Sequence, residues 1–130
     1  MDILLVDDHA AMREELASVL ATDDELKVVG QATNGEEGVL MAKALRPDII
    51  LMDVVMPGMN GIDATTAIRA AVPNARVLAI SNHTGQSLVT ELLHAGATGY
   101  IRKDRAYEEL VPAIRAVAAG KSYIGEHVSD

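Results

Sequence analysis

Short apolar runs and amphipathic segments alternate along this chain. Runs near residues 2–6, 26–32, 48–52, 76–81 and 98–101 have strand length, and the intervals between them carry apolar residues at helical spacing. That alternation is the pattern of βαβ units and of a parallel sheet. The second run, Leu26-Lys27-Val28-Val29-Gly30-Gln31-Ala32, is the most polar and the most interrupted, so it belongs at a sheet edge. Met12, Leu16, Val19 and Leu20 fall on one face of a first helix that follows Asp8. Asn34, with Glu37 three residues on, approximates a capping box for a second helix. That helix must stop at Arg46, because Pro47 disfavours a helical residue before it. A third helix starts near Asn60 and ends before Pro73 for the same reason. The fourth runs from about Gln86 to Ala95 and closes on Gly96; the fifth runs from about Ala106 to Ala119 and closes on Gly120. The segment 121–130 is polar apart from Tyr123-Ile124 and reads as the start of a linker, which leaves a single domain over residues 1–120.

Four of the apolar runs end on a chemically capable residue. Asp7-Asp8 follow Ile3-Leu4-Leu5-Val6, and Asp53 follows Ile49-Ile50-Leu51-Met52. Ser81 follows Val77-Leu78-Ala79-Ile80, and Lys103 comes shortly after Tyr100-Ile101. As parallel strands of one sheet, these runs deliver all of those residues to its carboxyl edge, where open α/β folds build their sites. An Asp pair before a helix would by itself only cap that helix and suit its dipole. A third carboxylate at the same edge changes the balance. Two like charges ~4 Å apart repel by ~4 kcal/mol at an effective dielectric of ~20, so a compensating cation is expected. Mg²⁺ wants oxygen ligands, usually with one or two protein carboxylates bound directly. Asp8 and Asp53 are candidates for direct ligation, Asp7 for a water-bridged contact, and the Val55 carbonyl for completing the set. A carboxylate such as Asp53 attacks phosphorus to form an acyl phosphate, with the metal and an ammonium neutralising its charge. The following loop, Pro57-Gly58-Met59-Asn60-Gly61, is turn chemistry that could leave backbone N–H groups pointing at phosphoryl oxygens, although read alone it is simply a strand-to-helix connection.

Composition removes several classes of function. Lysine plus arginine number 11 against 19 acidic residues, a net charge of −8, so direct binding to nucleic acid or to an anionic membrane is disfavoured. Phe and Trp are absent, which argues against a base-stacking surface. The apolar runs are too short to span a membrane, and the first residues lack a basic region followed by an apolar stretch. The lack of cysteine fits a reducing, cytoplasmic setting. His9 reads as a helix-start residue rather than a ligand; His83, two residues past Ser81, could screen the site from water but reads as a solvated loop histidine, and His94 and His127 show no partner in the sequence.

Leu5-Val6-Asp7-Asp8, Met52-Asp53, Met56-Pro57-Gly58-Met59-Asn60-Gly61, Ser81 and Gly99-Tyr100-Ile101-Arg102-Lys103 together resemble the receiver domain of two-component response regulators. Asp7-Asp8-His9, Ser81-Asn82-His83 and Gly96-Ala97-Thr98-Gly99-Tyr100 are similar to the NarL/FixJ subfamily, in which a receiver precedes a LuxR-type helix-turn-helix. The resemblance implies a flavodoxin-like, doubly wound α/β fold with a five-stranded parallel sheet of order 2-1-3-4-5. It makes Asp53 the phosphoacceptor, Asp7 and Asp8 the acidic pair holding Mg²⁺, and Lys103 the lysine that contacts the phosphoryl group. Ser81 matches the hydroxyl that swings toward that group, and Tyr100 the aromatic switch that moves inward behind it. Asp104 stands where many receivers have a cis-proline. The implied partners are a sensor histidine kinase as phosphodonor and a second copy of the chain on activation, with DNA reached only through a C-terminal domain.

Two other functions fit the sequence less well. A haloacid-dehalogenase-like phosphatase also uses an aspartyl nucleophile, but it places a general acid two residues later, where this chain has Val55. A phosphorylation-independent interaction module usually lacks one or more of the site residues, and here all are present. The expectation is therefore a signalling receiver that catalyses only its own phosphorylation and dephosphorylation, not an enzyme acting on a separate substrate.

Overall fold

The computed structural model describes residues 1–82 and 85–125; His83 and His127 lie outside the described residues. In chain order the elements are β1 (Asp2–Val6), α1 (Ala10–Leu20), β2 (Lys27–Ala32), α2 (Gly35–Leu45), β3 (Ile49–Asp53), α3 (Gly61–Ala71), β4 (Arg76–Ser81), α4 (Gln86–Ala95), β5 (Gly99–Arg102), α5 (Ala106–Ala118) and β6 (Tyr123–Ile124). A single 3₁₀ turn, Lys103–Arg105, joins β5 to α5.

All strand pairings are parallel, and the order is β2-β1-β3-β4-β5-β6. The polar strand β2 lies at an edge, as its composition predicts. The expected count of five strands needs correction to six. Tyr123–Ile124, read from sequence as part of a linker, adds to the outer edge of β5 with Gly99 opposite Tyr123 and Tyr100 opposite Ile124. The Tyr123 N–H donates to the Thr98 carbonyl at 3.1 Å and the Gly125 N–H to the Tyr100 carbonyl at 2.8 Å. Two residues carry no periodicity, so this strand leaves no pattern in the sequence. Its driving force is the row of backbone groups that β5 would otherwise leave unpaired.

Residues of each central strand alternate between two apolar layers, which is what places helices on both faces. Leu4, Val6, Ile50, Met52, Val77 and Ala79 pack with Ala42 of α2, Ala64 and Ile68 of α3, and Leu92 of α4. Ile3, Leu5, Ile49, Leu51, Leu78 and Ile80 pack on the other side with Leu16 and Leu20 of α1 and Leu110 and Ile114 of α5.

Local chemistry sets the helix ends. The Asn34 side chain accepts the Glu37 N–H at 2.8 Å, while the Glu37 carboxylate accepts the Thr33 N–H, one residue earlier than a regular capping box. Asn60 caps α3 by accepting the Asp63 N–H at 2.9 Å. Arg46 takes a left-handed φ of 46° to end α2 before Pro47, and Gly96 closes α4 at φ 110°. Pro112 sits inside α5, and the helix persists on both sides of it. It withholds one N–H from the Glu108 carbonyl without ending the element.

Candidate functional site

The strand register aligns the carboxyl ends of β1, β3, β4 and β5. Val6 pairs with Met52, Asp53 with Ile80, and Ser81 with Arg102, so Asp7, Asp53, Ser81 and Lys103 emerge along one rim. The loop after β3 is short and held closely. The Gly61 N–H donates to the Val54 carbonyl at 2.8 Å, starting α3 directly behind Asp53. In that loop the Val55 side chain faces solvent.

Asp7 and Asp53 are almost wholly buried, at 1% and 2% exposure. Lys103 Nζ reaches between them, 3.0 Å from Asp53 Oδ1 and 3.4 Å from Asp7 Oδ2. Burial works against the Lys103 ammonium, but its hydrogen bond and attraction to Asp53, with the further pull of Asp7, hold its pKa above the ordinary value. Asp53 is pushed up to about 6, first by burial and then by the charge of Asp7, with Lys103 opposing both. Asp7 Oδ2, Asp8 Oδ1 and Asp53 Oδ2 are buried without a hydrogen bond among the described residues, although Lys103 Nζ stands 3.4 Å from the first and His9 Nδ1 3.2 Å from the second. One ammonium does not balance three carboxylates, and the orphaned oxygens point to a missing positive partner. The residues present therefore fit a divalent cation held by oxygen donors.

Backbone contacts lock this geometry. The His9 N–H donates to Asp7 Oδ1 at 2.8 Å, and the Arg13 guanidinium donates to the Asp7 carbonyl at 2.7 Å. Ser81 is buried at the end of β4, hydrogen-bonded to Tyr100. Burial raises the Tyr100 phenol above its usual range and the Ser81 contact partly offsets this. The sequence expectation has Tyr100 moving inward on activation; in this structure it is already inward, packed in the layer that includes Val89, Leu92 and Ala97. Asp104 is turned away from the cluster and takes two hydrogen bonds from Arg102, at 2.9 and 2.6 Å.

The sequence-derived residues Asp7, Asp8, Asp53 and Lys103 thus converge, and Ser81 joins Tyr100 beside them. His9 is the residue that sequence reasoning set aside. It occupies the N-cap of α1 but caps nothing with its side chain; its ring turns toward the carboxylates instead. Its place directly after the acidic pair was the available signal.

The Asp53 shift has a measurable consequence in protein freed of metal by chelation. A carboxylate with a raised folded-state pKa holds its proton more tightly when folded. Its favourable contribution is present below about pH 4 and is lost as pH rises through about 6. Asn at this position carries no such loss. Asp53→Asn is expected to melt above wild type at pH about 7.5, by on the order of 1–3 kcal/mol, with the gap closing toward pH about 4. Thermal denaturation across that range is the check, and a variant less stable than wild type at every pH contradicts the crowding of carboxylates.

A doubly wound parallel sheet whose rim holds a buried carboxylate against a lysine defines an α/β domain with its charged site at the carboxyl ends of the strands. Comparison with known proteins agrees: the response regulator receiver domain family matches residues 3–115, and the chain belongs to that family. It is 42% identical over 127 residues to response regulator GacA of Pseudomonas viridiflava, covering 98% of this chain and 59% of that protein. It is 37% identical over 129 residues to the transcriptional regulatory protein DegU of Brevibacillus brevis, covering 99% of this chain and 55% of that protein. The chain therefore spans somewhat over half the length of the curated relatives it matches. Among solved structures, a LuxR-family two-component response regulator from Aurantimonas sp. SI85-9A1 superposes with a TM-score of 0.94 at 35% identity, covering 98% of this chain and 91% of that one.

Proposed function

We propose that this domain accepts a phosphoryl group on Asp53 from the phosphohistidine of a sensor kinase and converts it into a change of surface. The observation that carries this reading is the buried, unpartnered Asp53 Oδ2 beside Lys103 Nζ at 3.0 Å from its sister oxygen. Asp53 attacks phosphorus, the P–N bond to the donor imidazole breaks, and an acyl phosphate forms. Lys103 stays within reach of the transferred oxygens and stabilises their charge without itself reacting. Asp8, Asp53 and the Val55 carbonyl would hold Mg²⁺ with Asp7 beside them, and the cation would neutralise phosphoryl charge. The chain catalyses only its own phosphorylation and dephosphorylation. Intact mass spectrometry after incubation with acetyl phosphate and Mg²⁺ tests this: one added phosphate supports it, and an unchanged mass overturns it.

The output follows from Ser81 and Tyr100. Phosphorylation draws the Ser81 hydroxyl toward the phosphoryl group and so fixes Tyr100 inward, biasing the surface of α4, β5 and α5. That face exposes Tyr107 and half-exposes Leu88 and Val111, whereas Val89 of α4 is buried. A second copy of the chain is the proposed partner. Light scattering of beryllofluoride-treated protein is expected to show a larger mass than resting protein across the micromolar range, with Tyr100→Ala reducing the shift. Equal masses in the two states contradict phosphorylation-driven dimerisation of this domain.

The name of the relative DegU, a transcriptional regulatory protein, supports the proposed role in transcription, and contact with DNA is proposed to be made outside this domain. The net charge of −8 is consistent with DNA contact lying outside this domain. Among the described residues no helix is long and apolar enough to cross a membrane, and the proposed setting is the cytoplasm.

A further inference from the structure

An N-cap favours Ser, Thr, Asp or Asn, because their short side chains accept an N–H of the first turn. His9 occupies that position in α1 and makes no such bond. Its ring is 69% exposed, so packing against the core does not hold it either. Nδ1 instead faces the two carboxylates, 3.2 Å from Asp8 Oδ1 and 3.5 Å from Asp7 Oδ1. Asp7, Asp8, His9 and Asp53 each offer one ligand atom, and all four atoms lie within 4.8 Å of one another. Ligands bound at ~2.1 Å to one ion stand about 3.0 Å apart along an octahedral edge and about 3.4 Å along a tetrahedral one. The His9–Asp8 separation lies between those two values, while Asp7 Oδ1 already accepts the His9 N–H. The cluster also contains the buried oxygen Asp53 Oδ2, which has no partner among the described residues. His9 and Lys103 line an open cleft of about 380 Å³, together with Met12, Glu15 and Asn82, so the ring reaches the cluster from the solvent side.

We propose that His9 is a metal ligand through Nδ1, and that it lets this site hold a borderline transition cation of the Co²⁺ or Zn²⁺ class more tightly than Mg²⁺. Mg²⁺ takes oxygen donors almost exclusively, whereas imidazole nitrogen adds affinity for later first-row ions. The carboxylates serve either kind of ion; the nitrogen serves one. The inference rests on reading the acidic cluster as a cation site, and Mg²⁺ uptake reports that reading separately from the role of His9.

The test is equilibrium titration of the full chain with Co²⁺, followed by its visible absorption, and separately with Mg²⁺, followed by calorimetry. Wild type is expected to bind Co²⁺ more tightly than Mg²⁺. His9→Ala is expected to weaken Co²⁺ by about tenfold or more and to change its visible band, while Mg²⁺ affinity stays within about threefold. His94→Ala is expected to alter neither ion. Equal weakening of both ions by His9→Ala reduces His9 to a positioning role and overturns the proposal. An unchanged Co²⁺ affinity and spectrum overturns it as well, as does loss of the Co²⁺ signal in His94→Ala. Uptake of neither ion by wild type overturns both the proposal and the cation-site reading beneath it.

Discussion

Asp53→Asn is expected to gain no mass with acetyl phosphate and Mg²⁺ under conditions where wild type gains one phosphate. The amide removes the anionic oxygen that attacks phosphorus and puts N–H donors near Asp7 and Lys103. Neither neighbouring carboxylate is a good substitute. Asp7 is buried, with Oδ1 engaged by the His9 N–H at 2.8 Å and Oδ2 facing Lys103 at 3.4 Å. Asp8 is more exposed, lies beyond β1 rather than at the end of β3, and presents Oδ1 to His9. Lys103→Ala is the complementary change. It keeps the nucleophile but leaves the transferred phosphoryl oxygens without their ammonium, and labelling is expected to slow by on the order of 10²–10³. It also removes the main group opposing the upward shift of Asp53, so the carboxyl holds its proton to still higher pH. Time-resolved intact mass measurement separates the two variants: one never labels, the other labels slowly. Wild-type labelling of Asp53→Asn would refute the assignment of the nucleophile.

Gly61→Ala is expected to destabilise the domain more than any other single methyl group added near the site. A Cβ built on Gly61 would stand 2.4 Å from the Asp53 carbonyl oxygen and 2.7 Å from the Val54 Cα. Both are backbone atoms of the β3 end and its loop, so no rotamer change relieves the clash. Relief requires α3 to move away from β3, and α3 is anchored by Ala64 and Ile68 in the apolar layer above the sheet. Overpacking against fixed neighbours costs about 3 kcal/mol, equivalent to roughly 10 °C in melting temperature for a domain of this size. The same displacement moves Asp53 itself, so slower phosphorylation is expected to accompany the lower melting point. Gly85→Ala is the contrasting variant. Nothing lies within 4 Å of its added Cβ, and a change of under about 1 kcal/mol is expected. Denaturation curves for the pair provide the check; a Gly61→Ala protein melting within about 2 °C of wild type would mean that the β3–α3 contact is looser than described.

Much of this architecture is written in contiguous residues. Ile3 to Val6 and Ile49 to Met52 are apolar at successive positions because a strand covered on both faces buries every side chain. Asn34, Asn60 and Gly96 mark helix ends because the groups they satisfy lie within four residues of them. The rim residues were legible for a related reason: in a parallel sheet each strand's last residue must reach the same edge, so Asp7, Asp53, Ser81 and Lys103 are brought together by topology alone. Such arguments need only local period and connectivity.

What the sequence left open depends on groups that are distant along the chain. β6 forms because β5 has a free edge, a property of the assembled sheet and not of Tyr123–Ile124. The raised pKa of Asp53 follows from burial and from Asp7, 46 positions away, and which carboxylate oxygen lacks a partner depends on where Lys103 comes to rest. Tyr100 has the composition of an amphipathic strand residue with a wet hydroxyl, yet it is buried because α4 supplies Val89 and Leu92 above it and β4 supplies Ser81 for its hydroxyl. His9 reads locally as the start of α1, and the folded arrangement of β1 and β3 brings Asp53 within 4.8 Å of the ligand atoms of Asp7, Asp8 and His9. The sequence by itself determined which elements form and which residues arrive at the rim. The tertiary structure alone decided how those residues face, charge and desolvate one another, because those quantities fall off within a few ångströms and are set by neighbours drawn from separate strands.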